Sequence, residues 1–326
     1  MRYLMGIDGG GSKTKAVVVD ESGNRLGLGL SGCGNHQLCG LQTALANMEC
    51  AIQQALDEAK LKKPDVAFVQ YALAGADRPR DFQLLEPALH SMGFGDWNLV
   101  CDTMAGLRSG VEDYTGVVLV CGSATNAAGR NRDGKEVQVG GFGYLFGDGT
   151  GGIYLAEQAF RHAVRAFEGR EMPTILTERV PDFLGFSSME EMLNAYLDEN
   201  RNGVPMDLTK VLHEAARDGD GVAISLLQEA GRELGKAGNA VIRKLNGLAG
   251  NEEIPVVLIG SVLQQGRSPH LLAALKETME LFSPRIRFVL PDIEPVYGAV
   301  LLGMDQLGIR VDMAMMNKFG GIHQAG

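Results

Sequence analysis

The chain has 326 residues, of which 45% are hydrophobic and 21% charged, and its formal net charge is −10. This length accommodates two domains of ordinary size, and the composition is that of a globular protein rather than a disordered one. The acidic balance and the lack of a basic stripe argue against broad nucleic-acid binding, although a nucleotide could still be held locally.

The sequence also bears on cellular location. It contains no apolar run of about 18 residues and does not begin with the basic, apolar and cleavage regions of a signal peptide, so we expect neither a membrane span nor secretion. None of the cysteines is spaced as C-x-x-C, and the six histidines are scattered. We therefore predict reduced thiols in a cytoplasmic protein, and no structural zinc. The cysteines are Cys33, Cys39, Cys50, Cys101 and Cys121.

The first part of the chain predicts a mixed α/β domain over residues 1–115. Three strands come first, and helices then alternate with further strands, an order that implies a mixed sheet covered by helices. We predict strands at 3–7, 15–20, 26–30, 66–73 and 97–101, and helices at 41–59, 80–92 and 104–110. The glycines at 27, 29 and 32 formally match a dinucleotide-binding fingerprint, but Leu28 and Leu30 alternate as in a strand, so we assign them to a strand.

The segment between the first two strands is the most informative one. Here Asp8 is followed by three consecutive glycines. Because glycines have no side chain, their N–H groups can approach a ligand closely and bind an anion. The pattern predicts a polyphosphate site, with Asp8 holding Mg²⁺ directly or through water. The alternative is a glycine-rich hairpin turn without a ligand. The candidate phosphate donors are Gly9, Gly10, Gly11, Ser12, Lys13 and Thr14.

The same plan restarts at residue 116. An apolar strand at 116–121 runs into Gly122-Ser123-Ala124-Thr125-Asn126, and two further strands follow around a turn at residues 133–134. From the first glycine to the glycine of the next turn is 14 positions in the first copy, from Gly9 to Gly23, and 12 in the second, from Gly122 to Gly134. We interpret this as a degenerate internal duplication in which each copy carries a phosphate-binding hairpin; a chance similarity is the alternative.

The remainder of the chain completes the second domain, which we predict over residues 116–326. A helical insertion is expected at about 154–251, with breaks at Pro181 and Pro205. Strands are predicted at 256–259 and 287–290 and helices at 271–282 and 295–307. The tail from 313 to 326 shows no clear pattern and is expected to be poorly ordered.

Single polar residues next to strand ends and glycines are further candidates. Asp102 follows a predicted strand and is either a general base or a helix N-cap. Asn35 either recognises sugar hydroxyls through its amide or only shapes its loop. Asp148, the one acid in a stretch with seven glycines in 13 residues, either contacts a ligand or stands in a turn. We interpret His36 as a loop histidine rather than a catalyst.

These motifs, taken in order, resemble the BadF/BadG/BcrA/BcrD ATPase family, and within it the N-acetylglucosamine kinase branch. The resemblance extends to about residue 303. It is carried by segments 6–14, 34–35, 74–79, 101–102, 122–126, 141–143, 147–149, 259–262 and 294–299, which read GIDGGGSKT, GN, AGADRP, CD, GSATN, GFG, GDG, IGSV and EPVYGA.

The resemblance implies the actin–hexokinase–Hsp70 superfold: two ribonuclease-H-like α/β domains around a cleft, with the helix at about 295–307 packing between them. It implies that segments 8–14 and 122–126 bind the ATP phosphates, that Gly260 and Ser261 lie beside adenosine, and that Asp102 is the catalytic aspartate. The positions that match the sugar site or its surroundings are Asn35, Asp77, Asp102, Thr125, Asn126, Gly143 and Asp148.

The resemblance therefore implies an ATP- and Mg²⁺-dependent kinase that phosphorylates an amino sugar or N-acetylhexosamine at O6, with N-acetylglucosamine the expected substrate and a homodimer the expected assembly. Two motifs depart from the family pattern: segment 122–125 replaces a Gly-Thr-Gly-type run, and segment 147–149 lacks a glutamate after Asp148. The alternative function is that of the family's other branch, whose ATPases activate a partner enzyme and bind an iron–sulfur cluster. Cys121 lies near that branch's cluster motif, but the motif itself is missing.

Overall fold

The structure is a computed structural model that describes residues 1–249, 253–283 and 285–320. Its strands are β1 Tyr3–Gly9, β2 Thr14–Asp20, β3 Arg25–Ser31, β4 Val66–Leu73, β5 Trp97–Cys101, β6 Gly116–Cys121, β7 Thr125–Arg130, β8 Glu136–Val139, β9 Ile254–Ile259 and β10 Ile286–Val289. Its helices are α1 His36–Cys39, α2 Leu41–Ala59, α3 Pro79–His90, α4 Asp102–Gly110, α5 Gly152–Phe167, α6 Leu176–Phe183, α7 Met189–Asp198, α8 Leu208–Arg217, α9 Gly221–Lys244, α10 Pro269–Glu280, α11 Pro295–Gln306 and α12 Met313–Gly320.

The chain forms two compact units that are each discontinuous in sequence. Unit 1 comprises residues 1–118, 129–135 and 289–326, and unit 2 comprises residues 119–128 and 136–288. The predicted boundary before residue 116 lies close to the first change of unit, and α11 belongs to unit 1. The predicted division at 115/116 stays a prediction.

The first sheet has the strand order β3-β2-β1-β4-β5. β1 and β2, and β2 and β3, pair antiparallel, whereas β1 and β4, and β4 and β5, pair parallel. Alternate residues of β1 and β2 point to opposite faces, so both faces are apolar. Met5 packs in a core with α2 and α3, whereas Leu4 packs in a second core with α11 and α12. The sheet is thus covered by helices on both sides, as predicted.

The second sheet repeats this topology. Its strand order is β10-β9-β6-β7-β8. When the strands of each sheet are numbered along the chain, both sheets have the order 3-2-1-4-5, which confirms the internal duplication predicted from the glycine and hydroxyl turns. Helices α5 to α9 follow β8 and α10 lies between β9 and β10. The α9 and α10 helices approach closely, because a Cβ on Gly231 would lie 2.2 Å from the carbonyl oxygen of Leu271.

Three local predictions are corrected. Pro181 does not break the chain but lies buried inside α6, which ends two residues later. His36 is not in a loop but begins α1 and is buried. The tail is helical over Met313–Gly320, because Phe319 is buried against the ring of Tyr297, with ring centroids 4.9 Å apart; residues 321–326 lie outside the described part of the chain. None of the helices that the structure describes is long and apolar enough to cross a membrane.

Candidate active site

Unit 1 gathers acidic residues at one edge of its sheet. β1, β4 and β5 run parallel, so their carboxyl ends meet at the same edge, where open α/β sheets bind ligands. Asp8 lies near the end of β1, Asp77 follows β4, and Asp102 directly follows β5. The predicted metal ligand, base and one predicted sugar ligand are therefore brought to one edge by strands that are far apart in sequence.

The glycine hairpin between β1 and β2 exposes only its tip. Gly11, Ser12 and Lys13 are exposed, and the turn is closed by the Gly10 N–H, which donates to the Lys13 carbonyl at 2.9 Å. The tip therefore presents backbone and side-chain donors as predicted for a phosphate segment.

The two ends of the hairpin have structural contacts instead. The Thr14 hydroxyl is buried and donates to the Gly32 carbonyl at 2.8 Å. A Cβ on Gly9 would lie 2.6 Å from the Leu73 side chain, so a glycine here lets β4 pack closely. Thr14 and Gly9 thus have structural contacts in the hairpin, and their phosphate contacts stay predictions.

Asp8 stands in an environment that opposes its charge. Burial first, and then the negative charge of Asp102, raise the pKa of Asp8 to about 7, against the lowering effect of Lys13 and Lys15. Lys15 pairs directly with Asp8 across β1 and β2 and forms an ion pair with Glu294. A carboxylate of this kind fits Mg²⁺, a hard cation that prefers oxygen ligands and would relieve the repulsion between the two acids.

Asp102 is not the N-cap of α4. The N-cap position belongs to Cys101, whose side chain makes no capping hydrogen bond, and Asp102 is the first helical residue. Burial raises the pKa of Asp102 to about 6, although a hydrogen bond from the Cys101 thiol opposes the shift. The carboxyl group is thus ionised at neutral pH, and its pKa is close to the value that suits proton transfer. Both properties favour the general-base alternative.

Asn35 has the loop-shaping role, and its position also brings it to the same edge. Its side-chain oxygen caps α1 by accepting the Gln37 N–H at 2.9 Å. A Cβ on Gly75 would lie 2.8 Å from that oxygen, and a Cβ on Gly34 would lie 2.7 Å from the Gly9 Cα. The Asn35 loop therefore packs on the ends of β1 and β4, beside the segment that carries Asp77.

In unit 2, three glycine-containing segments converge. Gly122 lies at the end of β6 and Gly260 at the end of β9, and a Cβ on Gly260 would lie 2.4 Å from the Cys121 carbonyl. The Gly152 N–H, at the start of α5, donates to the Gly122 carbonyl at 2.7 Å. Ser123 is exposed beside this junction. The second predicted phosphate segment and the predicted adenosine segment are thus neighbours in unit 2.

A cavity of about 270 Å³ adjoins this junction. It is formed by the start of α5, residues along α8 and the segment after β9, and Ser261 lies on its wall. The adenosine contact that the resemblance implies for Ser261 stays a prediction. His213 is the notable further member: its side chain is buried, its Nε2 has no hydrogen-bond partner, and burial lowers its pKa to about 4. The lining includes Gly152, Met206, Thr209, His213, Ser261 and Val262.

The glycine-rich loop of unit 2 is organised by Asp148. Its carboxylate accepts the N–H groups of Gly143 at 2.6 Å and Gly141 at 3.1 Å. A Cβ on Gly141 would lie 2.7 Å from the Asn126 side chain, whose Oδ1 is buried without a hydrogen-bond partner. A second cavity of about 260 Å³ is lined by Thr125, Asn126 and Asp148. The Thr125 hydroxyl is already engaged, because it donates to the Val120 carbonyl at 3.0 Å.

Sequence reasoning missed several members of these sites. His213 and Thr209 lie on an amphipathic helix, where nothing in the sequence separates a cavity residue from a core residue. Gly152 was recognised only as part of a glycine-rich stretch, although a glycine pair before an apolar helix is a signal for a helix start. The contact of Cys101 with Asp77 is not predictable from local pattern, because it depends on how the loop after β4 packs beside the end of β5.

The comparisons with known proteins agree with this architecture. The profile of the BadF/BadG/BcrA/BcrD ATPase family matches residues 5–303. The chain is 27% identical over 311 residues to the N-acetylmuramic acid/N-acetylglucosamine kinase of Clostridium acetobutylicum, with 94% of this chain and 99% of that protein covered. It is 29% identical over 316 residues to the N-acetyl-D-glucosamine kinase of Dictyostelium discoideum, with 93% and 98% covered.

A solved structure gives the same result at the level of the fold. A proposed N-acetylglucosamine kinase from Chromobacterium violaceum superimposes with a TM-score of 0.68 at 25% sequence identity, covering 93% of this chain and 99% of that chain. The predicted pair of ribonuclease-H-like α/β domains is thereby confirmed as the fold class. The duplicated sheets, the ordered motifs and the match over residues 5–303 lead to one conclusion: this chain belongs to the BadF/BadG/BcrA/BcrD ATPase family.

Proposed function

We propose that this protein is an ATP-dependent kinase that phosphorylates an amino sugar or N-acetylhexosamine, with N-acetylglucosamine as the substrate and O6 as the acceptor. The observation that carries the proposal is the edge of the first sheet, where Asp8, Asp77 and Asp102 meet and burial raises the pKa of Asp8 and Asp102. Relatives that share 27% and 29% identity over almost the whole chain are kinases of this class.

In this proposal Asp102 accepts the proton of the attacking sugar hydroxyl. With its pKa raised to about 6, the carboxyl group is mostly ionised at pH 7 and remains a stronger base than an ordinary aspartate. Asp8 holds Mg²⁺, which neutralises charge on the phosphates when it is bound. Phosphoryl transfer depends mainly on positioning and charge stabilisation, and the rigid strand ends that carry both acids are suited to that requirement.

Each unit by itself carries a segment that is proposed to bind the nucleotide. In unit 1 the exposed tip of segment 10–13 offers backbone N–H groups, the Ser12 hydroxyl and the Lys13 ammonium. In unit 2 the exposed Ser123 is the candidate donor, because the N–H groups of Gly122, Gly152 and Ile153 already donate to the carbonyls of Ala124, Gly122 and Ser123. Adenosine is proposed to bind beside Gly260 and Ser261, where the cavity of about 270 Å³ is available.

The sugar is proposed to contact residues around the same acids. In unit 1 Asp77 and Asp102 both contact the Cys101 sulfur, and Asn35 packs beside Gly75 in the segment that carries Asp77. Carboxylates and amides bind sugar hydroxyls well. In unit 2 the candidates are Asn126, whose buried Oδ1 lacks a partner, and the loop of Gly143 that Asp148 holds in place. Thr125 is a weaker candidate because its hydroxyl is already bonded within β6 and β7.

A coupled assay of ADP release tests the function. ATP and Mg²⁺ are supplied with N-acetylglucosamine, glucosamine, N-acetylmannosamine, N-acetylmuramic acid or glucose in turn, and the product is analysed for the phosphorylated position. We expect ADP release that depends on the sugar and is greatest with N-acetylglucosamine. ADP release at the same rate with and without every sugar would contradict the kinase assignment.

The alternative, an ATPase that activates a partner through an iron–sulfur cluster, requires reactive cluster thiolates. Cys121 is buried beside Thr150, and burial raises the pKa of its thiol to about 11, which disfavours the thiolate that a cluster needs. Iron content and visible absorbance after anaerobic purification distinguish the two functions. A stoichiometric cluster chromophore would favour the activator.

The setting of the enzyme is part of the same proposal. We place it in the cytoplasm, because ATP is available there and because the chain carries five free cysteines. We also propose a homodimer, which light scattering coupled to size-exclusion chromatography would distinguish from a 34.9 kDa monomer.

A further inference from the structure

We infer that Cys101 is a positioning residue for the general base. Its thiol donates a hydrogen bond that holds the Asp102 carboxylate in place, and it turns to Asp77 once Asp102 has taken the substrate proton. The inference rests on the proposed function, because it requires Asp102 to be the base.

The contacts of the sulfur carry the inference. Cys101 Sγ lies 3.3 Å from Asp102 Oδ1 and 3.2 Å from Asp77 Oδ1, and it accepts a hydrogen bond from the Thr103 hydroxyl at 3.1 Å. A thiol has one proton and can serve one carboxylate at a time. The sulfur accepts the hydrogen bond from Thr103, so the remaining two contacts must use the S–H as donor. The S–H can donate to either Asp102 or Asp77, but not to both at once.

The Cys101 side chain does not cap α4. Cys101 occupies the N-cap position of α4, where serine, threonine and aspartate usually bond the helix backbone, yet its side chain makes no such bond. It is 8% exposed, and its sulfur contacts the carboxylate of Asp77, in the loop after β4, and that of Asp102, the first residue of α4. This arrangement points to the acids rather than to the helix as the partners that matter.

The thiol remains a donor throughout the reaction. Burial and the charges of Asp102 and Asp77 raise the pKa of Cys101 well above its ordinary value, so the sulfur stays protonated. While Asp102 is ionised, the S–H bond stabilises its charge and fixes the orientation of its second oxygen toward the substrate. The sugar O–H proton moves to Asp102 while the sugar oxygen bonds to the γ-phosphorus and the bond from that phosphorus to the bridging oxygen breaks, releasing ADP. The S–H is then free to donate to Asp77. No proton leaves the sulfur.

The experiment compares full-length Cys101→Ala and Cys101→Ser with the wild type, and uses Cys50→Ala, an exposed thiol on α2, as the matched control. We expect Cys101→Ala to lower kcat about tenfold, which corresponds to a lost hydrogen bond to a charged group, with the KM values for sugar and ATP within about twofold. Cys101→Ser retains a donor and should recover most of kcat. Cys50→Ala should match the wild type.

A spectroscopic measurement tests the contact without relying on turnover. The infrared S–H stretch of Cys101, identified as the band that Cys101→Ala removes, should shift when Asp102 is replaced by asparagine. Thermal unfolding establishes whether each variant is folded. If Cys101→Ala does not fold, the inference is tested by the kcat of Cys101→Ser and by the response of the S–H band.

The outcomes separate the two hypotheses. If the wild type shows no sugar-dependent ADP release, the proposed function fails and the inference fails with it. If the wild type is active but Cys101→Ala has the same kcat, or the S–H band does not respond to Asp102→Asn, the inference alone is overturned.

Discussion

The acidic residues at the edge of the first sheet are held in surroundings that oppose their charge. Asp8 and Asp102 are partly buried, and each lies near other carboxylates, so the pKa of each is raised. A group whose pKa is higher in the folded than in the unfolded state makes the protein less stable as pH rises through that interval. The residues proposed for chemistry should therefore lower the stability of the ligand-free protein at neutral and alkaline pH.

Asp102→Asn tests this trade-off. The pKa of Asp102 is about 6 in the folded protein and 3.8 for an unperturbed aspartate, so the folded state binds the extra proton between these values. Wild-type stability consequently falls as pH rises from about 4 to 6, and the penalty is complete at pH 8. The variant should lose at least about 100-fold in kcat, yet melt about 4 °C higher than the wild type at pH 8.

The measurements are sugar-dependent ADP release and melting curves without nucleotide or Mg²⁺ across pH 4–8. The melting advantage of Asp102→Asn should shrink toward pH 4, where the wild-type carboxyl is protonated. Normal turnover would remove Asp102 from the mechanism, and equal melting temperatures at pH 8 would show that the carboxylate is not destabilising.

For His213 the dependence of stability on pH has the opposite sign. Burial and the charge of Arg217 lower its pKa from 6.5 to about 4, so between these values the unfolded chain binds a proton that the folded protein rejects. The free energy of unfolding of the wild type should therefore fall as pH falls from about 6.5 to 4. The decrease should be about 2 to 3 kcal/mol smaller in His213→Gln, which lacks the imidazole. Urea unfolding at pH 7.5 and 4.5 measures the difference, with the exposed His90→Gln as control. If His213→Gln and His90→Gln lose the same free energy of unfolding between pH 7.5 and 4.5, the imidazole of His213 is not buried and neutral.

At the level of elements, glycines set how closely helices approach the first sheet. A Cβ on Gly29 would lie 1.8 Å from the carbonyl oxygen of Ala51, and a Cβ on Gly27 would lie 2.0 Å from that of Ala55. The glycines of β3 that imitate a dinucleotide fingerprint therefore let the backbone of α2 lie directly on the sheet. This contact gives the glycines a structural reason to occur in a strand.

Gly29→Ala should separate β3 from α2. Because the neighbouring atom is backbone oxygen and cannot rotate away, we expect a loss of about 3 kcal/mol in the free energy of unfolding. Gly95→Ala is the matched control, since no atom lies within 4 Å of its added Cβ and the residue is exposed. Chemical denaturation compares the two, and equal stability of Gly29→Ala and wild type would contradict the close packing of α2 on β3.

The helix that carries the proposed base is held by the C-terminal part of unit 1. Arg108 of α4 is buried and donates to Asp305 of α11 at 2.7 Å and to the Val111 carbonyl at 2.8 Å. A Cβ on Gly298 would lie 1.9 Å from the Ala105 carbonyl, so α11 lies directly against α4. The position of Asp102 thus depends on a helix almost 200 residues further along the chain.

At the level of the whole molecule, unit 1 is completed by residues that follow unit 2. Phe319 of α12 is fully buried with Leu4, Val17 and Tyr297, and Lys318 donates to the Ser22 carbonyl at 2.7 Å. One apolar face of the N-terminal sheet is therefore exposed until α11 and α12 have formed and packed on it. Folding of unit 1 should therefore require the residues of α11 and α12.

Phe319→Ala tests this closure. Truncating a fully buried phenylalanine should lower the free energy of unfolding by about 3 to 5 kcal/mol. Leu84→Ala, at a side chain that is 46% exposed on α3, should change it by less than about 1 kcal/mol. Urea denaturation followed by circular dichroism measures both, and a Phe319→Ala variant as stable as Leu84→Ala would show that α12 is dispensable.

The sequence by itself determined the strands, the helices of the first domain other than α1 and α12, the repeated plan of the two sheets and the segments from which ligand contacts are drawn. Those features follow from alternation, helical spacing and glycine turns, which are local in the chain. Only the tertiary structure decided that the Thr14 hydroxyl is consumed by Gly32, that α12 covers the first sheet, that His213 is buried beside a cavity, and that Cys101 bridges two acids. Burial and hydrogen-bond partners depend on which distant strand ends and helices pack together, and parallel pairing brings together residues that no local pattern connects.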